Sequence, residues 1–503
     1  MDLPLQTSFG ALDWGIVVVY LAISVCVGFA VSRYVTNMTE YVAAGRGVRT
    51  ALGVASLASS EMGLVTVMYA AQKGFTGGFA AFHIAVAGGV VALFVGLSGF
   101  IVARLRATAV LTVPEFYEQR FGRDVRVLGG VLLALGGILN MGLFLRVESM
   151  FIVGLTGIHG GSALTTVMMC LVALALLYTV FGGAVSDLVT DYMQFVVRSI
   201  GLLIACALAV RAVGWDHLFS TVEQQMGPRG FDPLAEGGFG AEYVLWMVFL
   251  GLVSCALWPT SLMRALSAES EQVVRRTYAL SSIGFMSRFL LPYFLGICAL
   301  VFALDTPELH AAFFPADGSA GASNLYALPL FLARILPTGV IGLVLAAMLA
   351  AFMSTYDTYL LCWSSVITQD VVAPLRGDRM GPRARILLTR LIMVAIGIYL
   401  VVWGLLYPGS EELWDYLAVS GAVYFSGAFA LLVFGLYWKR ASRVGALAAL
   451  VCGLAAVLGL SPVQQALGVH IPSERVGLAT IALTTAAMVL GSLLFPDRRE
   501  VAA

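Results

Sequence analysis

The chain contains little charge and almost no lysine. Only 12% of its 503 residues are charged, the formal net charge is zero, and Lys73 and Lys439 are its only lysines. No run of basic residues is longer than two, and the sequence has no glycine-rich loop of the kind that holds phosphate groups. Because nucleic acids are bound by dense positive charge, we expect no nucleic-acid partner.

Cysteine is also scarce, and its positions argue against a cysteine-rich metal centre. All seven cysteines lie inside apolar segments, without the short spacings of metal ligands. A buried free cysteine behaves as a small apolar residue, so we predict that all seven are core residues. They are Cys26, Cys170, Cys206, Cys255, Cys298, Cys362 and Cys452. The amino terminus lacks the basic stretch of a secretory signal, which predicts that the first apolar segment remains as a helix.

What the chain has in excess is apolar surface. Hydrophobic residues make up 60% of the sequence, and the mean hydropathy is +0.93. A helix that crosses a bilayer needs about 20 apolar residues, and about 13 segments reach roughly that length. They are approximately 13–33, 49–72, 78–104, 127–157, 162–181, 189–213, 241–263, 276–304, 338–368, 385–407, 413–437, 444–461 and 475–495. We therefore predict an all-α polytopic membrane protein.

Basic residues concentrate in alternate connections between these segments. Those connections include positions 104–126, 264–276, 376–385 and 439–443, whereas the opposite ones carry acidic residues such as Glu412. Cytoplasmic loops are enriched in arginine and lysine. We therefore expect a protein of the cell membrane with its amino terminus on the outer side and its carboxyl terminus in the cytoplasm.

The ninth segment carries the most unusual polar residues. Asp357 lies near its middle, and a carboxylate inside a bilayer is costly enough to indicate a functional site. The hydroxyls of Ser354, Thr355 and Thr358 share one helix face, and such oxygen ligands suit a small hard cation such as sodium. The alternative is that these hydroxyls bond to their own helix while Asp357 pairs with a buried arginine.

Two segments have polar interruptions at mid-depth. The second contains small and polar residues at 56–63, and the seventh contains Trp258 followed by Pro259, which breaks a helical hydrogen-bond ladder. Interrupted helices in corresponding positions point to a transporter built from two inverted repeats, with its site where both helices unwind. We expect one transmembrane domain over 1–503, made of an extra helix at 13–33, repeats at 49–213 and 241–437, and an extra region at 444–503.

Five stretches of the chain resemble the sodium:solute symporter family. They are TVPEFYEQRFG at 112–122, FGGAVSDLVTDYMQ at 181–194, LMRALSAES at 262–270, AAFMSTYDTYLLCWSSVITQD at 350–370 and GLYWKR at 435–440. The resemblance runs along most of the chain. It implies the LeuT-like fold, with five plus five inverted helices and extra helices at both ends.

The resemblance also implies a sodium site between the second and ninth segments. It places the backbone carbonyls of Ala55, Ala58 and Ala351 around the ion. The hydroxyls of Ser354 and Thr355 complete this first sodium site.

Some members of the family hold a second sodium, and the resemblance places it beside Asp191. Ser354 and Thr358 would contribute hydroxyls, whereas Asp357 stands where the family has a hydroxyl. Two neighbouring carboxylates either bind a cation strongly or share a proton. Two sodium ions, or one sodium and one proton, are therefore both open.

The resemblance places the solute pocket above the sodium. Glu61, followed by Met62, falls where sugar-transporting members carry a solute-contacting acid. Gly251 and Ser254 stand where those members use aromatic and amide side chains, and Trp258 resembles branches that handle small carboxylates or quaternary amines. We therefore expect Glu61, Met62, Ser254 and Trp258 to face a small carboxylate, amino acid or quaternary amine rather than a sugar.

Arg146 and Glu148 add charge to the fourth segment. Being two residues apart, they face different sides of a helix and are not partners of each other. Arg146 could hold a solute carboxylate through two parallel bonds. Alternatively it could neutralise Glu61 or Asp357 as part of the structure, a role that Arg198 could also fill for Asp357.

Together these features predict a secondary active transporter, not an enzyme. It would couple sodium entry to the import of a small polar solute by alternating access, as a monomer or loose oligomer in the cell membrane. Two alternatives stay open. One is a proton-coupled carrier in which Asp357 or Glu61 titrates, and the other is a transporter-like membrane sensor.

Overall fold

The computed structural model describes residues 5–32, 44–316, 321–407 and 412–497. Apart from one parallel β-bridge between Val48 and Ala268, the regular structure in those residues is helical, which confirms the predicted fold class. Position 33 of the predicted first segment and residues 498–503 of the carboxyl-terminal region lie outside the described residues.

The α-helices are numbered here in chain order. They are α1 Ala11–Ser32, α2 Thr50–Ser60, α3 Leu64–Gly77, α4 Phe82–Ser98, α5 Val102–Ala107, α6 Val113–Phe121, α7 Arg123–Met141, α8 Phe144–Thr156, α9 Ala163–Val213, α10 Trp215–Met226, α11 Ala241–Ala256, α12 Pro259–Ser267, α13 Glu271–Asp305, α14 Pro307–Phe313, α15 Ala327–Ile335, α16 Val340–Val366, α17 Ala373–Leu375, α18 Pro382–Leu406, α19 Leu413–Tyr437, α20 Arg443–Gly453, α21 Ser461–Leu467 and α22 Ser473–Leu494. A π-helix, Ile367–Val372, joins α16 to α17.

Nine helices of the described chain are long and apolar enough to cross a membrane, or ten if the bent pair Arg443–Gly459 and Ser461–Leu467 forms one span. This number does not confirm the predicted 13. Breaks explain part of the difference, since that pair bends by 78° and the helix Thr50–Ser60 stops after 11 residues.

Both predicted interruptions are present. The second segment is divided into α2 and α3 by Glu61 to Gly63, and the seventh is divided into α11 and α12 at Leu257 and Trp258. Pro259 is the first residue of α12, where its missing N–H costs no helical bond. We call these the first break and the second break.

Helix α16 lies in the core of the bundle. In the most apolar 18-residue stretch of its span, Val340–Leu375, 89% is buried, against 28% in the corresponding stretch of the span Pro382–Leu406. Helices α9 and α1 pack against α16, and α13 packs against α3 and α4. The α3 to α13 contact needs glycine, because a Cβ at Gly74 would stand 2.1 Å from the carbonyl oxygen of Tyr293.

A short helix, α6, begins directly after Thr112, and the Thr112 hydroxyl accepts a bond from the Glu115 N–H at 3.3 Å. The prediction that all cysteines are core residues is wrong for Cys26 and Cys170, which are exposed. The reason is that the outer face of a membrane helix is also apolar, so an apolar segment does not imply a buried position.

Candidate ion and solute site

A cavity of about 120 Å³ lies where the two breaks meet. One water needs about 10–15 Å³ measured in the same way, so the cavity has room for a small organic solute. The first break lines it with Ser60 and Glu61, the second with Ser254 and Trp258, and α16 contributes Thr355. Thus three of the five predicted solute contacts line one cavity, and one predicted sodium ligand borders it.

Aromatic rings form much of the cavity wall. The rings of Tyr69 and Trp414 have centroids 4.5 Å apart, and Phe289 packs on Trp414 at 5.5 Å. Trp258 donates from Nε1 to the Tyr359 hydroxyl at 2.9 Å. A mostly apolar wall with a few fixed polar groups is the usual composition of a small-molecule site.

The polar group with most partners in this wall is Glu61. Its carboxylate forms a salt bridge with Arg288 at 2.8 Å, and that arginine also donates to the Ser254 hydroxyl at 2.6 Å. The carboxylate further accepts bonds from the hydroxyls of Ser254, Thr260 and Ser261 at 3.3, 3.1 and 2.7 Å. The ion pair therefore connects the first break, the second break and α13.

Helices α2 and α16 meet beside the cavity, where the first sodium site is predicted. Ser354 Oγ lies 2.9 Å from Ser59 Oγ across this contact. A Cβ at Gly63 would stand 2.3 Å from Thr355 Oγ1, so the close approach requires glycine. Within the described residues, Thr355 Oγ1 is buried and accepts or donates no hydrogen bond. A hard oxygen without a partner at this depth is compatible with binding a cation.

Asp191 gathers several of the residues predicted for a second cation. Its carboxylate accepts bonds from Ser354 and Ser56, both at 2.6 Å, and forms a salt bridge with Arg264 at 3.0 Å. The same Arg264 nitrogen donates to Thr358 Oγ1 at 2.6 Å. The guanidinium thus lies among Asp191, Ser354 and Thr358, where it carries the positive charge beside the buried carboxylate.

Asp357 and the two arginines suggested as its partners have different contacts. Asp357 accepts a bond from the Thr179 hydroxyl at 2.6 Å. Arg198 donates to the carbonyls of Ser59, Met62 and Ala58 at 2.9, 3.1 and 3.1 Å. The described ion pairs do not include one between Asp357 and Arg198 or Arg146. Carbonyls released by the break provide acceptors for Arg198 instead.

Two predicted solute residues are placed away from the cavity lining. Arg146 donates to the carbonyls of Gly404 and Tyr407 at 3.2 and 2.8 Å, where it caps the end of α18. It does not neutralise Glu61, which pairs with Arg288. Met62 is buried, and its carbonyl accepts from Arg198.

Sequence reasoning missed Arg264 and Arg288. Arg264 was counted with the basic residues of a connection, but it lies in α12 with a side chain only 3% exposed. Arg288 stands inside the apolar segment 276–304. A charged residue within a membrane segment implies a buried partner, and that signal alone could have identified Arg288 as a partner of Glu61.

Polar contacts connect α3 to other segments one turn beyond Tyr69. The Lys73 ammonium bonds the Glu412 carboxylate and lies 3.9 Å from Asp415. The adjacent Gln72 donates to Asn324 at 2.6 Å. The first contact ties α3 to the start of α19, and the second ties it to the residues directly before α15.

A model of the sodium:solute symporter family matches residues 41–453 of the chain. The chain is similar to a sodium/mannose cotransporter from Bos taurus, with 26% identity over 485 residues, covering 88% of this chain and 78% of the relative. It is also similar to sodium/proline symporter 2 from Staphylococcus saprophyticus, with 24% identity over 477 residues, covering 88% and 84%.

Solved structures show the same architecture. A Na+-coupled sialic acid symporter in a substrate-bound outward-open state has a TM-score of 0.81 at 19% identity, covering 97% of this chain and 98% of that chain. A nucleobase-cation-symport-1 family transporter has a TM-score of 0.53 at 14% identity, covering 92% and 98%. At these identities the likeness concerns the fold, and it confirms the expected LeuT-like architecture.

Proposed function

Because this chain belongs to the sodium:solute symporter family, we propose that it couples sodium entry to the uptake of a small carboxylate, amino acid or quaternary amine. Family membership makes it a multi-pass membrane transporter rather than an enzyme, with sodium as the co-transported ion. The choice of solute, the ligands and the direction of insertion are parts of the proposal.

The first sodium binds between α2 and α16. The carbonyls of Ala55, Ala58 and Ala351 and the hydroxyls of Ser354 and Thr355 are its ligands. The Ala58 carbonyl also accepts a bond from Arg198 at 3.1 Å, which leaves its second lone pair for the ion. The contact of Ser354 with Ser59 and the buried hydroxyl of Thr355 support this assignment. Sodium here draws the two helices together and stabilises the solute pocket beside them.

A second cation competes with Arg264 for Asp191. The guanidinium already neutralises that carboxylate, so a second sodium at Asp191, Ser354 and Thr358 requires the arginine to move. Asp357, bonded to Thr179, remains a candidate ligand or proton acceptor. One sodium is therefore the simplest stoichiometry, and a second ion depends on displacement of Arg264.

The solute occupies the cavity between the breaks, and this shared cavity is the observation that carries the proposal. Relatives named as a mannose cotransporter and as a proline symporter match this chain at similar identity. The proposed class of solute is therefore argued from the cavity. Its aromatic walls suit an apolar or cationic group, and the Glu61 to Arg288 pair presents both charges. Those features favour a small charged or zwitterionic solute over a sugar, whose many hydroxyls need more polar partners.

The direct test is uptake into proteoliposomes. A labelled panel of proline, acetate, pyruvate, choline, galactose, sialic acid and pantothenate is offered with an imposed sodium, lithium or proton gradient. We expect one small charged solute to accumulate with sodium only. Accumulation of galactose would contradict the solute class, and accumulation driven by protons without sodium would favour the proton-coupled alternative.

The sensor alternative predicts a different result in the same vesicles. A sensor binds a solute without accumulating it under any gradient, while the protein remains folded. For the arrangement in the membrane, we propose inverted repeats at 49–213 and 241–437, an external amino terminus and a cytoplasmic carboxyl terminus. Cysteine labelling of intact cells at exposed loop positions tests that orientation.

A further inference from the structure

Glu148 is a buried carboxyl group that the sodium and solute sites do not use. It lies on α8 with no exposed surface, and its Oε1 accepts a bond from the Val65 N–H at 3.1 Å. Val65 is in the first turn of α3, directly after the first break, and it lines the cavity. Glu148 therefore contacts the broken helix in the first turn of α3.

The partners of Glu148 differ from those of Glu61 and Asp191. Glu61 bonds Arg288 and three hydroxyls, and Asp191 bonds Arg264 and two serines. Within the described residues no basic side chain bonds Glu148, and its Oε2 is buried without a hydrogen-bond partner. One backbone N–H offsets only part of the cost of burying a carboxylate in a membrane.

The side chain that faces Glu148 from α16 is Tyr356. Its hydroxyl interacts with the carboxyl group, yet this hydroxyl too is buried without a partner at bonding geometry. The phenol can donate to an ionised acid or accept from a neutral one, so this contact is possible in both states. Since it supplies no positive charge, the burial of Glu148 without a basic partner among the described residues is what favours the neutral acid.

Charged groups on the helices around α8 have partners elsewhere. These pairs are Arg198 with the carbonyls of the first break, Asp191 with Arg264, Asp357 with Thr179, Lys73 with Glu412, and Arg334 with Glu308. On α18 the arginines lie at positions 383–390, whereas α8 meets the other end of that helix through Arg146. Of the tyrosines on these described helices, Tyr356 is the one that faces Glu148.

We propose that Glu148 is a proton-binding site, occupied in this conformation and emptied when α3 moves away from α8. This inference rests on the proposed transport function, because alternating access is what would move the broken helix. Once the Val65 contact opens, water from the cavity reaches the carboxyl group and stabilises its ionised form. Binding of a proton thus depends on the position of α3, in addition to the binding of sodium between α2 and α16.

Stability of the purified full-length protein tests proton binding without any transport. Glutamine copies the neutral acid, so E148Q should match wild type at pH 5 and unfold about 2–5 °C higher at pH 8.5, where wild type must keep its proton or bury a charge. Glu223→Gln, at an exposed position of α10, is the control and should follow wild type at both pH values. Equal pH dependence in wild type and E148Q would overturn the proposal.

A requirement for the anion would also overturn it. If neither E148Q nor the apolar variant E148M folds, the carboxylate itself is needed and the neutral acid is excluded. Transport gives the second readout: sodium-driven uptake should vary with pH in wild type and be flat in E148Q. If wild type shows no sodium-driven uptake at all, the proposed function fails, while the stability comparison still decides whether Glu148 binds a proton.

Discussion

The two breaks lie at one cavity, but they are stabilised in different ways. At the first break, ionisable side chains from other helices satisfy the free backbone groups. Arg198 binds the carbonyls at the end of α2, and Glu148 binds an N–H at the start of α3. At the second break the backbone groups have partners within the same segment. Ser261 donates to the Ser254 carbonyl at 2.7 Å, and Pro259 has no N–H that would need a partner.

The difference indicates which break can change shape. Arg198 places a positive charge at the carboxyl end of α2, as the helix dipole favours, and Glu148 accepts a bond from the amino end of α3. Because these groups belong to α9 and α8, the bonds must break whenever α2 and α3 move relative to those helices. The backbone bonds of the second break lie within its own segment and can persist when that segment moves, whereas its side-chain bonds to Glu61 and Arg288 would have to break. We infer that the first break is the one coupled to ions.

The largest expected effect is loss of stability when Arg198 is replaced. Arg198→Met leaves three carbonyls at the first break without a donor, in a side-chain site that is 2% exposed. Hydrogen bonds to a charged group contribute about 1.5–3 kcal/mol each and are not additive, so we expect a loss of roughly 3–5 kcal/mol. Equilibrium unfolding of the purified protein in mixed micelles measures it. A loss below about 1 kcal/mol would show that Arg198 does not support the break.

A smaller effect is expected at the second break. Ser261→Ala removes the bonds to the Ser254 carbonyl and to Glu61, but the Thr260 hydroxyl still donates to the same carboxylate oxygen. The Ser261 hydroxyl has one hydrogen for these two acceptors. A bond to a neutral acceptor contributes about 0.5–1.5 kcal/mol and one to a charged acceptor about 1.5–3 kcal/mol, so with Thr260 as a remaining donor we expect a loss of about 1–2 kcal/mol. The same unfolding experiment gives the comparison. A Ser261→Ala loss equal to that of Arg198→Met would remove the distinction between the breaks.

The smallest effect is expected for the ring that borders the second break. Trp258→Phe keeps an aromatic surface in the cavity and loses the bond from Nε1 to the Tyr359 hydroxyl. We expect the KM of sodium-driven uptake to rise about two- to tenfold, since one neutral bond is at stake, with little change in sodium affinity. Initial rates at varied solute and sodium concentrations separate the KM for the solute from the affinity for sodium. A shift confined to sodium affinity would contradict the assignment of Trp258 to the solute.

Much of this organisation could be read from the sequence. Hydropathy and the Trp258-Pro259 pair identified a helical membrane protein with two broken helices, and family resemblance placed Ser354 and Thr355 beside α2. The helix count of 13 is not confirmed, and hydropathy does not show where a helix bends. The ion pairs could not be predicted, because partners far apart in sequence, such as Glu61 and Arg288, are brought together only by the packing of helices. No local sequence pattern encodes that packing.

The central claim is that sodium binds where the first break meets α16, and sodium-dependent stabilisation tests it directly. Ser354 and Ser364 are both fully buried serines of α16, but Ser354 contacts Ser59 and Asp191 whereas Ser364 bonds the Leu360 carbonyl of its own helix. Ligand binding to the folded state raises its stability with concentration. The unfolding midpoint of each variant is therefore measured in sodium against equal potassium.

We predict that sodium raises the midpoint of wild type and of Ser364→Ala alike. In Ser354→Ala the same increase should need roughly tenfold more sodium, as expected when a ligand worth at least about 1.4 kcal/mol is lost. If Ser354→Ala keeps the full sodium response, or Ser364→Ala loses as much of it, sodium does not bind at this contact and the account is contradicted.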